Sequence, residues 1–394
     1  MGRRSSPLEH VYLDYHASTP CDSRVVEAML PFFLETFANP SSSVHTQGRR
    51  AAEAVEQARA RVALAIGAAA GEIVFTSGAT ESNNLAIHGA ARAASGGRKK
   101  LLATSVEHKC VLSTCKWLAT QGYEFAAIPV TGDGAVDLAA LVDLVDDRTI
   151  LVSVQAANNE VGTIQPIAEV AQIVHRAGAL LHSDAAQALG RIPMDVDLSG
   201  VDLLSLSAHK CYGPKGVGAL YVSGGVRKAP LEPLLYGGGQ EGGLRPGTLN
   251  VPGIVGFGRA CEIAAEEGPI ESRRVGRLRD WLESLVLEAV EDVHRNGALS
   301  RRLPGNSSLR FDGVEADALI ANLPDIALST GSACSSGAIE PSHVLTAMGL
   351  SREQSYGTVR LGIGRFTMED ELEYAAHRIC DAVTKIRSTG TGVT

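Results

Sequence analysis

The sequence contains no uninterrupted apolar run that approaches the ~20 residues a membrane-spanning helix requires. It also lacks an excess of basic charge, because 44 acidic side chains outnumber 36 basic ones and the formal net charge is -8. This balance gives no diffuse attraction to nucleic acid or to an anionic membrane surface. With 45% hydrophobic and 20% charged residues, the composition predicts a soluble globular protein with neither of these partners.

The seven cysteines are an odd number scattered along the chain, without the dense even spacing of a secreted disulfide scaffold. This usage favours a reducing compartment, and we predict a cytoplasmic protein. No Cys-x-x-Cys pair and no His-Glu-x-x-His helix occurs, and Cys110 with Cys115 lacks a second ligand pair at zinc spacing. The sequence therefore predicts no metal site.

Short apolar runs that end in small or polar residues alternate with alanine-rich stretches of helical period. This alternation predicts βαβ units and an α/β fold with a mostly parallel sheet. The predicted strands are residues 72–76, 100–104, 149–155, 180–183, 202–205 and 218–222. Amphipathic helices are predicted over residues 53–64 and 167–177.

A chain of 394 residues is long for one simple core, so two domains are expected. The pattern changes around residues 261–269, where a long charged helix is predicted to follow over about 271–293. We predict a large domain over residues 21–264 and a smaller α+β domain over 265–394, joined by an N-terminal arm of residues 1–20.

Three features together indicate a pyridoxal 5'-phosphate (PLP) site. Such a site needs a lysine for the Schiff base, an acid facing the pyridine nitrogen and an anion site for the phosphate. Lys210 and Asp184 each follow a predicted strand, and the small polar run from Ser77 to Asn84 opens a helix whose backbone N–H groups could bind phosphate. Taken singly, these features have plainer interpretations as a surface lysine, a capping aspartate and an ordinary capped helix.

The order and spacing of nine segments resemble those of the cysteine desulfurase family, within the fold-type I, class V aminotransferase-like PLP enzymes. The resemblance covers nearly the whole chain. The segments are Tyr12-Leu13-Asp14-Tyr15, Asn39-Pro40-Ser41-Ser42, Phe75-Thr76-Ser77-Gly78-Ala79-Thr80-Glu81-Ser82, Val106-Glu107-His108-Lys109, Asn158-Asn159-Glu160-Val161-Gly162, Asp184-Ala185-Ala186-Gln187, His209-Lys210-Cys211-Tyr212-Gly213-Pro214-Lys215-Gly216, Gly237-Gly238-Gly239-Gln240-Glu241 and Gly331-Ser332-Ala333-Cys334.

The resemblance implies a role for each matching site residue. Lys210 would carry the cofactor, Asp184 would pair with the pyridinium, Gln187 would meet the ring hydroxyl and His108 would stack on the ring. The phosphate would be bound by Ala79, Thr80, Ser207 and His209, and by Thr248 reaching across from a neighbouring subunit, which implies a homodimer. Asn159 and Arg360 match the positions that hold the substrate carboxylate, a task suited to a bidentate guanidinium.

Cys334 distinguishes this family from other PLP enzymes, and its small neighbours suit a segment that moves a thiol into and out of a cleft. The implied reaction converts L-cysteine to alanine. Lys210 would remove the α-proton, His108 would relay protons, and the Cys334 thiolate would attack the substrate sulfur and keep it as a persulfide. A sulfur-acceptor protein would then take it for iron-sulfur assembly, tRNA or cofactor thiolation, or DNA sulfur modification.

Two alternatives stay open from the sequence. A selenocysteine lyase or related PLP-dependent lyase would share this scaffold but differ around the cysteine segment, and a non-catalytic partner subunit would keep the fold for binding alone. The chain also departs from the family at His16, where small residues are more common, and at Gly242, Gly243 and Pro246. None of these departures removes a predicted catalytic group.

Overall fold

The computed structural model describes residues 10–226, 230–330 and 340–390. Its strands are β1 (Val11–Tyr12), β2 (Ile73–Thr76), β3 (Lys100–Thr104), β4 (Glu124–Ile128), β5 (Thr149–Ser153), β6 (Leu180–Asp184), β7 (Leu203–Ser207), β8 (Gly218–Val222), β9 (Val293–Arg295), β10 (Asn306–Phe311), β11 (Ile326–Ala327) and β12 (Thr358–Gly362). Its α-helices are α1 (Ser23–Met29), α2 (Pro31–Leu34), α3 (Thr46–Leu64), α4 (Ala79–Ala93), α5 (Lys109–Thr120), α6 (Leu138–Leu144), α7 (Ile167–Arg176), α8 (Val196–Ser199), α9 (Val251–Ala289), α10 (Ala316–Ala321), α11 (His343–Ala347), α12 (Arg352–Tyr356) and α13 (Glu369–Ser388).

A seven-stranded sheet in the order β2-β8-β7-β6-β5-β3-β4 forms the centre of the molecule. Its strands are parallel except β8, which runs antiparallel to β2 and to β7. Every residue of β5, β7 and β8 is buried, as expected for strands that helices cover on both faces. The predicted α/β class with a mostly parallel sheet is confirmed.

The six strands predicted from apolar runs are all present in this sheet, with ends displaced by no more than two residues. The seventh, β4, was not predicted. It lies at the sheet edge, and only Ile128 of its five residues is buried. An edge strand does not need the continuous apolar run by which buried strands are recognised.

Separate apolar cores surround the large sheet and a smaller sheet. Clusters on both faces of the large sheet include residues of α3, α4, α5 and α7. A third cluster joins β10 and β12 of the antiparallel sheet β12-β10-β9 to α13 and to the second half of α9. Val11 and Leu13 of the N-terminal arm also pack in this third cluster, where β1 pairs with β11. The domain boundary at residue 265 stays a prediction.

The predicted start of the long charged helix near residue 271 is wrong. Helix α9 begins at Val251, ends at Ala289 and contains Pro269. A proline inside a helix removes one backbone hydrogen bond and usually ends or kinks the helix. Here Ile254 and Phe257 are buried in the core of the large sheet, whereas Leu282 and Val286 are buried in the small one. Packing at both ends compensates for the missing bond.

Among the described residues, no helix is long and apolar enough to cross a membrane. The same part of the chain contains no group of three or more His, Cys, Asp and Glu side chains arranged to hold a metal ion.

Candidate active site

A cavity of about 530 Å³ opens at the carboxyl edge of the large sheet. Strands β2, β3, β5, β6 and β7 all end there, because parallel strands place their carboxyl ends on the same side of a sheet. The lining side chains come from the segments that follow these strand ends. The lining residues are His16, Ala17, Ser77, Gly78, Ala79, Thr80, Glu81, His108, Cys110, Gln155, Ala157, Asn159, Asp184, Ala186, Gln187, Ser207, His209, Lys210, Lys215, Gly216 and Arg360.

Ten residues predicted from the sequence line this one cavity. They are Ala79, Thr80, His108, Asn159, Asp184, Gln187, Ser207, His209, Lys210 and Arg360. Thr248 is exposed and is not among the lining residues. Cys334 lies outside the described residues. The structure therefore brings together residues that stand up to 281 positions apart in the sequence, from Ala79 to Arg360.

Asp184 ends β6 and is fixed there by two donors. The amide Nδ2 of Asn83 donates to its Oδ2 at 2.7 Å, and the backbone N–H of Ala186 donates to its Oδ1 at 2.9 Å. Asp184 is 8% exposed, so its charge is largely removed from water. A buried carboxylate held in one orientation can keep a ring nitrogen protonated.

Lys210 follows β7 at the end of a short 3₁₀ helix, Ala208–Lys210. Its Nζ donates to the carbonyl oxygens of His16 and Ala17 at 2.6 and 2.8 Å. Burial, together with the nearby Arg191 and Arg360 guanidinium groups, lowers the pKa of this amine to about 7, although the carboxylates of Asp184 and Asp14 act in the opposite direction. A large fraction of the amine is therefore neutral at physiological pH and able to act as a base or a nucleophile.

The amino end of α4 supplies an anion-binding surface. Gly78 precedes the helix with φ 148°, a backbone conformation that favours glycine, and a Cβ on Gly218 of β8 would lie 2.6 Å from the Gly78 Cα, so this close approach requires glycine at position 218. Ala79 and Thr80 form the first turn and line the cavity, and Lys215 adds a positive charge. Backbone N–H groups at a helix start and a nearby ammonium together attract phosphate.

Arg360 lies on β12 and reaches the opposite side of the cavity. Its Nη1 donates to the carbonyl of Asn159 at 2.9 Å and its Nη2 to Asp14 Oδ1 at 2.7 Å. Its Nε is buried and has no hydrogen-bond partner within the described ranges. The two residues predicted to hold the substrate carboxylate are thus adjacent, and Asp14 is a further contact that the sequence did not identify.

His108 caps α5, where its Nδ1 accepts from the backbone N–H of Cys110 at 3.2 Å. The peptide before it is held from two sides. His343 Nε2 donates to the Glu107 carbonyl at 2.9 Å, and Gln155 Nε2 donates to the Val106 carbonyl at 2.7 Å. Burial lowers the pKa of His108, which favours the neutral imidazole.

Arg191, which the sequence did not identify, donates hydrogen bonds that fix the orientation of Gln187. Its Nη1 donates to Gln187 Oε1, and its Nη2 donates to the carbonyls of Tyr15 at 2.8 Å and Lys210 at 3.2 Å. Because a guanidinium can only donate, the oxygen of Gln187 must face Arg191. The amide nitrogen, which donates to the His16 carbonyl at 2.9 Å, then has its second hydrogen available to a ligand.

The residues just before and just after the 331–339 segment are both anchored by hydrogen bonds. Before it, Ser329 exchanges backbone hydrogen bonds with Arg360, at 2.6 and 3.3 Å. After it, Ser342 Oγ donates to Glu160 Oε2 at 2.5 Å, and His343 contacts the Glu107 carbonyl as above. Both flanks are therefore fixed beside residues of the cavity wall.

The residues present fit the cofactor that the sequence resemblance implies. The cavity combines a partly buried amine of low pKa, a buried carboxylate at a strand end, a helix start for an anion and an amide that can donate to a ring oxygen. These are the groups that hold PLP through its aldehyde, pyridine nitrogen, phosphate and ring hydroxyl.

Comparisons with known proteins agree with this site. The Aminotransferase class-V family matches residues 11–374. A relative named cysteine desulfurase IscS, from Anaeromyxobacter sp. (strain Fw109-5), is 49% identical over 380 residues, which cover 96% of this chain and 93% of the relative. A solved NifS-like protein has a TM-score of 0.89 at 39% identity, covering 95% of this chain and all of that one. The solved structure of SspA in complex with cysteine has a TM-score of 0.81 at 37% identity, covering 91% of this chain and all of that one. The predicted fold-type I architecture is confirmed.

Proposed function

The chain belongs to the cysteine desulfurase family of class V aminotransferases, and from this premise we propose that it removes sulfur from L-cysteine, releases L-alanine and stores the sulfur on Cys334. The observation that carries the proposal is the convergence of Lys210, Asp184, His108 and Arg360 on one cavity, at the position where the Cys334 segment begins and ends.

PLP would be held by Lys210 at its aldehyde carbon, by Asp184 at the pyridine nitrogen and by Gln187 at the ring hydroxyl. His108 would lie on the ring, and the start of α4 with Ser207 and His209 would bind the phosphate. When bound, PLP supplies an electron sink that stabilises negative charge at the α-carbon of an amino acid. His209 suits a phosphate site as a neutral donor, because burial and the nearby Lys210 and Lys215 lower its pKa to about 4.

Arg360 and Asn159 orient the substrate through its carboxylate. A guanidinium that is 4% exposed binds a carboxylate more strongly than one in water, because water does not compete for its N–H groups. Lys210 is the base for the α-proton, since burial keeps much of its amine neutral near pH 7. His108 supplies a second proton-carrying group on the same cavity wall.

Cys334 performs the sulfur step. It stands five residues after Ser329 and eight before Ser342, so the chain can extend at most about 18 Å and about 29 Å from these anchors. Ser329 is bonded to Arg360 of the cavity lining, and Ser342 is bonded to Glu160, the neighbour of the lining residue Asn159, so both anchors lie close enough to the cavity for these spans to suit a thiol that acts there. The thiolate attacks the substrate sulfur, an S–S bond forms, the C–S bond breaks, and its electron pair stays with the carbon fragment that is protonated and released as alanine.

A second copy of the chain completes the proposed assembly. Large apolar side chains are exposed on one segment, with Phe33 at 57%, Leu34 at 78% and Phe37 at 75% exposure. Several large apolar side chains exposed within one short segment are typical of a contact between protein chains. Thr248 is exposed and outside its own cavity, as the predicted role at the partner's phosphate requires. Light scattering should give twice the chain mass of 41.3 kDa.

The sulfur acceptor is a further protein partner, and we place the reaction in the cytoplasm. No described residue identifies the acceptor, so the pathway it serves is open among iron-sulfur assembly, tRNA or cofactor thiolation and DNA sulfur modification.

The experiment that tests the proposal follows alanine and protein-bound sulfur after L-[³⁵S]cysteine is added to the PLP-loaded enzyme. Wild-type protein should form alanine and carry label that dithiothreitol removes, on the peptide that contains Cys334. Cys334→Ser should bind PLP and change its absorbance with cysteine but accumulate neither product, because a hydroxyl does not replace a thiolate in attack on sulfur. Alanine formation at the wild-type rate in this variant would instead identify a lyase that needs no protein thiol.

A further inference from the structure

We propose that Cys110 is a positioning residue that holds His108 in the tautomer with its proton on Nε2, at the end of a chain of hydrogen bonds that begins at Asp184. The inference deepens the proposed function and rests on it, because it assigns which ring nitrogen of neutral His108 carries the hydrogen that faces a ligand. The chain of contacts consists of Asp184, Asn83, Cys110 and His108.

The first two contacts fix the orientation of the Asn83 amide. A carboxylate only accepts hydrogen bonds, so the Asn83 group 2.7 Å from Asp184 Oδ2 must be the NH₂ and not the oxygen. The same Nδ2 lies 3.1 Å from the sulfur of Cys110. Asn83 therefore donates one hydrogen to Asp184 and the other to Cys110, whose sulfur is the acceptor.

The third contact joins Cys110 Sγ to His108 Nδ1 at 3.0 Å. A thiol that accepts from Asn83 still has its own S–H to donate, so the sulfur can be the donor to the ring nitrogen. The thiol keeps this proton, since burial and the nearby Asp184 raise the pKa of Cys110 to about 12. An ionised sulfur would have no hydrogen to donate.

The backbone sets the direction of this contact. The N–H of Cys110 lies 3.2 Å from His108 Nδ1, and a peptide N–H can only donate. Two donors from one residue thus meet Nδ1, which must be the unprotonated nitrogen of the neutral ring. The proton of neutral His108 is then on Nε2, so the neutral ring acts as a hydrogen-bond donor toward the cavity and not as a base at Nε2.

Other charged groups around His108 act with or against this bond. Burial is the largest influence on the His108 pKa and favours the neutral ring. Lys210 and His343 also favour the neutral ring, whereas the carboxylates of Asp184 and Glu160 favour the charged form. The S–H bond from Cys110 favours the neutral form, because protonation at Nδ1 would break it. Removing the thiol should therefore make His108 easier to protonate.

The test reads the ring directly, by ¹⁵N NMR of histidine-labelled, PLP-loaded protein between pH 5 and 9, with His108→Gln identifying the His108 signals. Wild-type protein should show the Nε2–H pattern. In Cys110→Ala the midpoint of His108 protonation should rise by about 0.5 pH unit, the size expected for loss of one weak hydrogen bond to the neutral form. Cys110→Ser, whose hydroxyl can donate to Nδ1, should return the midpoint most of the way.

Cys115 provides the matched control. It lies on the same helix, it is buried, and it does not line the cavity. Cys115→Ala should leave the His108 midpoint unchanged, which separates loss of the S–H bond from general loosening of α5. An Nδ1–H pattern in wild-type protein, or equal midpoints in wild type and Cys110→Ala, would overturn the inference even if cysteine turnover is normal.

The kinetic counterpart is the acid limb of the pH profile for alanine formation. Since the working form is the neutral ring that Cys110 holds as an Nε2–H donor, the limb at which the ring becomes imidazolium should move to higher pH in Cys110→Ala by the same amount as the NMR midpoint, and return in Cys110→Ser. A limb that stays in place while the NMR midpoint moves would overturn the role of neutral His108 as this donor in turnover. Failure of wild-type protein to form alanine would overturn the proposed function and leave the NMR result intact.

Discussion

The lowered pKa of Lys210 predicts that cofactor attachment is fast at neutral pH. Only the neutral amine attacks an aldehyde carbon, and at pH 7 an amine of pKa about 7 is half neutral. A lysine of ordinary pKa 10.5 would be neutral in roughly one molecule in 3,000 at this pH, so burial and the two arginines increase the reactive fraction by about a thousandfold. Lower basicity also makes each neutral amine less nucleophilic. The pH at the midpoint of the rate profile is therefore a better measure of the Lys210 pKa than the absolute rate of attachment.

The assay mixes apoprotein with PLP between pH 5.5 and 9.5 and follows the visible absorbance produced by covalent attachment. The sign follows from burial, which disfavours the ammonium form, so the rate should rise with pH and level off above a midpoint near 7. The reaction of PLP with an N-acetyl-lysine amide, measured in the same buffers, corrects for the titration of PLP itself. A corrected rate that keeps rising tenfold per pH unit beyond pH 9 would refute the argument.

The arginines near Lys210 give this prediction an internal check. Arg191 and Arg360 are the largest charge effects that lower the Lys210 pKa. Arg191→Gln should move the attachment midpoint upward, because loss of a nearby cation makes the ammonium less unfavourable. An unchanged midpoint in this variant would contradict a charge effect of Arg191 on Lys210.

Three further perturbations test the site and its support. Asp184→Asn should still bind PLP but lower turnover at least about a hundredfold, because an amide cannot stabilise a protonated ring nitrogen as a carboxylate does. Steady-state kinetics of alanine formation measure this loss, and a turnover near the wild-type value would mean that Asp184 has only a structural role. Arg360→Lys should raise the KM for cysteine about tenfold, since an ammonium does not reproduce the guanidinium fork, and an unchanged KM would move the carboxylate site elsewhere. Glu241→Gln removes the buried carboxylate that pairs with Arg59 and leaves that cation only the exposed Glu56, so it should lower the free energy of unfolding by roughly 3–5 kcal/mol in urea titrations. Glu124→Gln at an exposed ion pair should cost no more than about 1 kcal/mol, and equal costs would contradict this reasoning.

Much of the fold and of the cavity wall could be predicted from the sequence because both depend on local patterns. Buried parallel strands need continuous apolar runs, and the residues that follow those runs meet at one edge of the sheet. Asp184 and Lys210 were identified in this way, each at the end of its own strand. The substrate residues depended on the resemblance to a family, since nothing local in the sequence around Arg360 indicates a carboxylate site.

The supporting residues could not be predicted because their partners are distant in the sequence and their chemistry is ordinary. Arg191 meets His16 across 175 positions, and Asn83 meets Asp184 across 101. An isolated arginine or asparagine in a helical stretch is most often a solvated side chain. In the sequence, Cys110 stands out only as a possible metal ligand, and it lacks the second ligand pair that a zinc site needs. Its contact with His108 depends on how α5 begins, which apolar periodicity does not reveal.

The local charge of the site is opposite in sign to that of the whole chain. The formal net charge is -8, yet three cations, Lys210, Lys215 and Arg360, line the cavity against two carboxylates, Glu81 and Asp184. Lys210 and Arg360 are withdrawn from water, which raises the free energy of the folded state because neighbouring cations do not replace the lost hydration. A phosphate bound at the helix start and a carboxylate bound at Arg360 would offset this cost, and both are anions that the proposed cofactor and substrate carry. The net charge of the chain therefore says little about its ligands, whereas the arrangement of a few cations around one cavity favours two small anionic ligands, one at the helix start and one at Arg360.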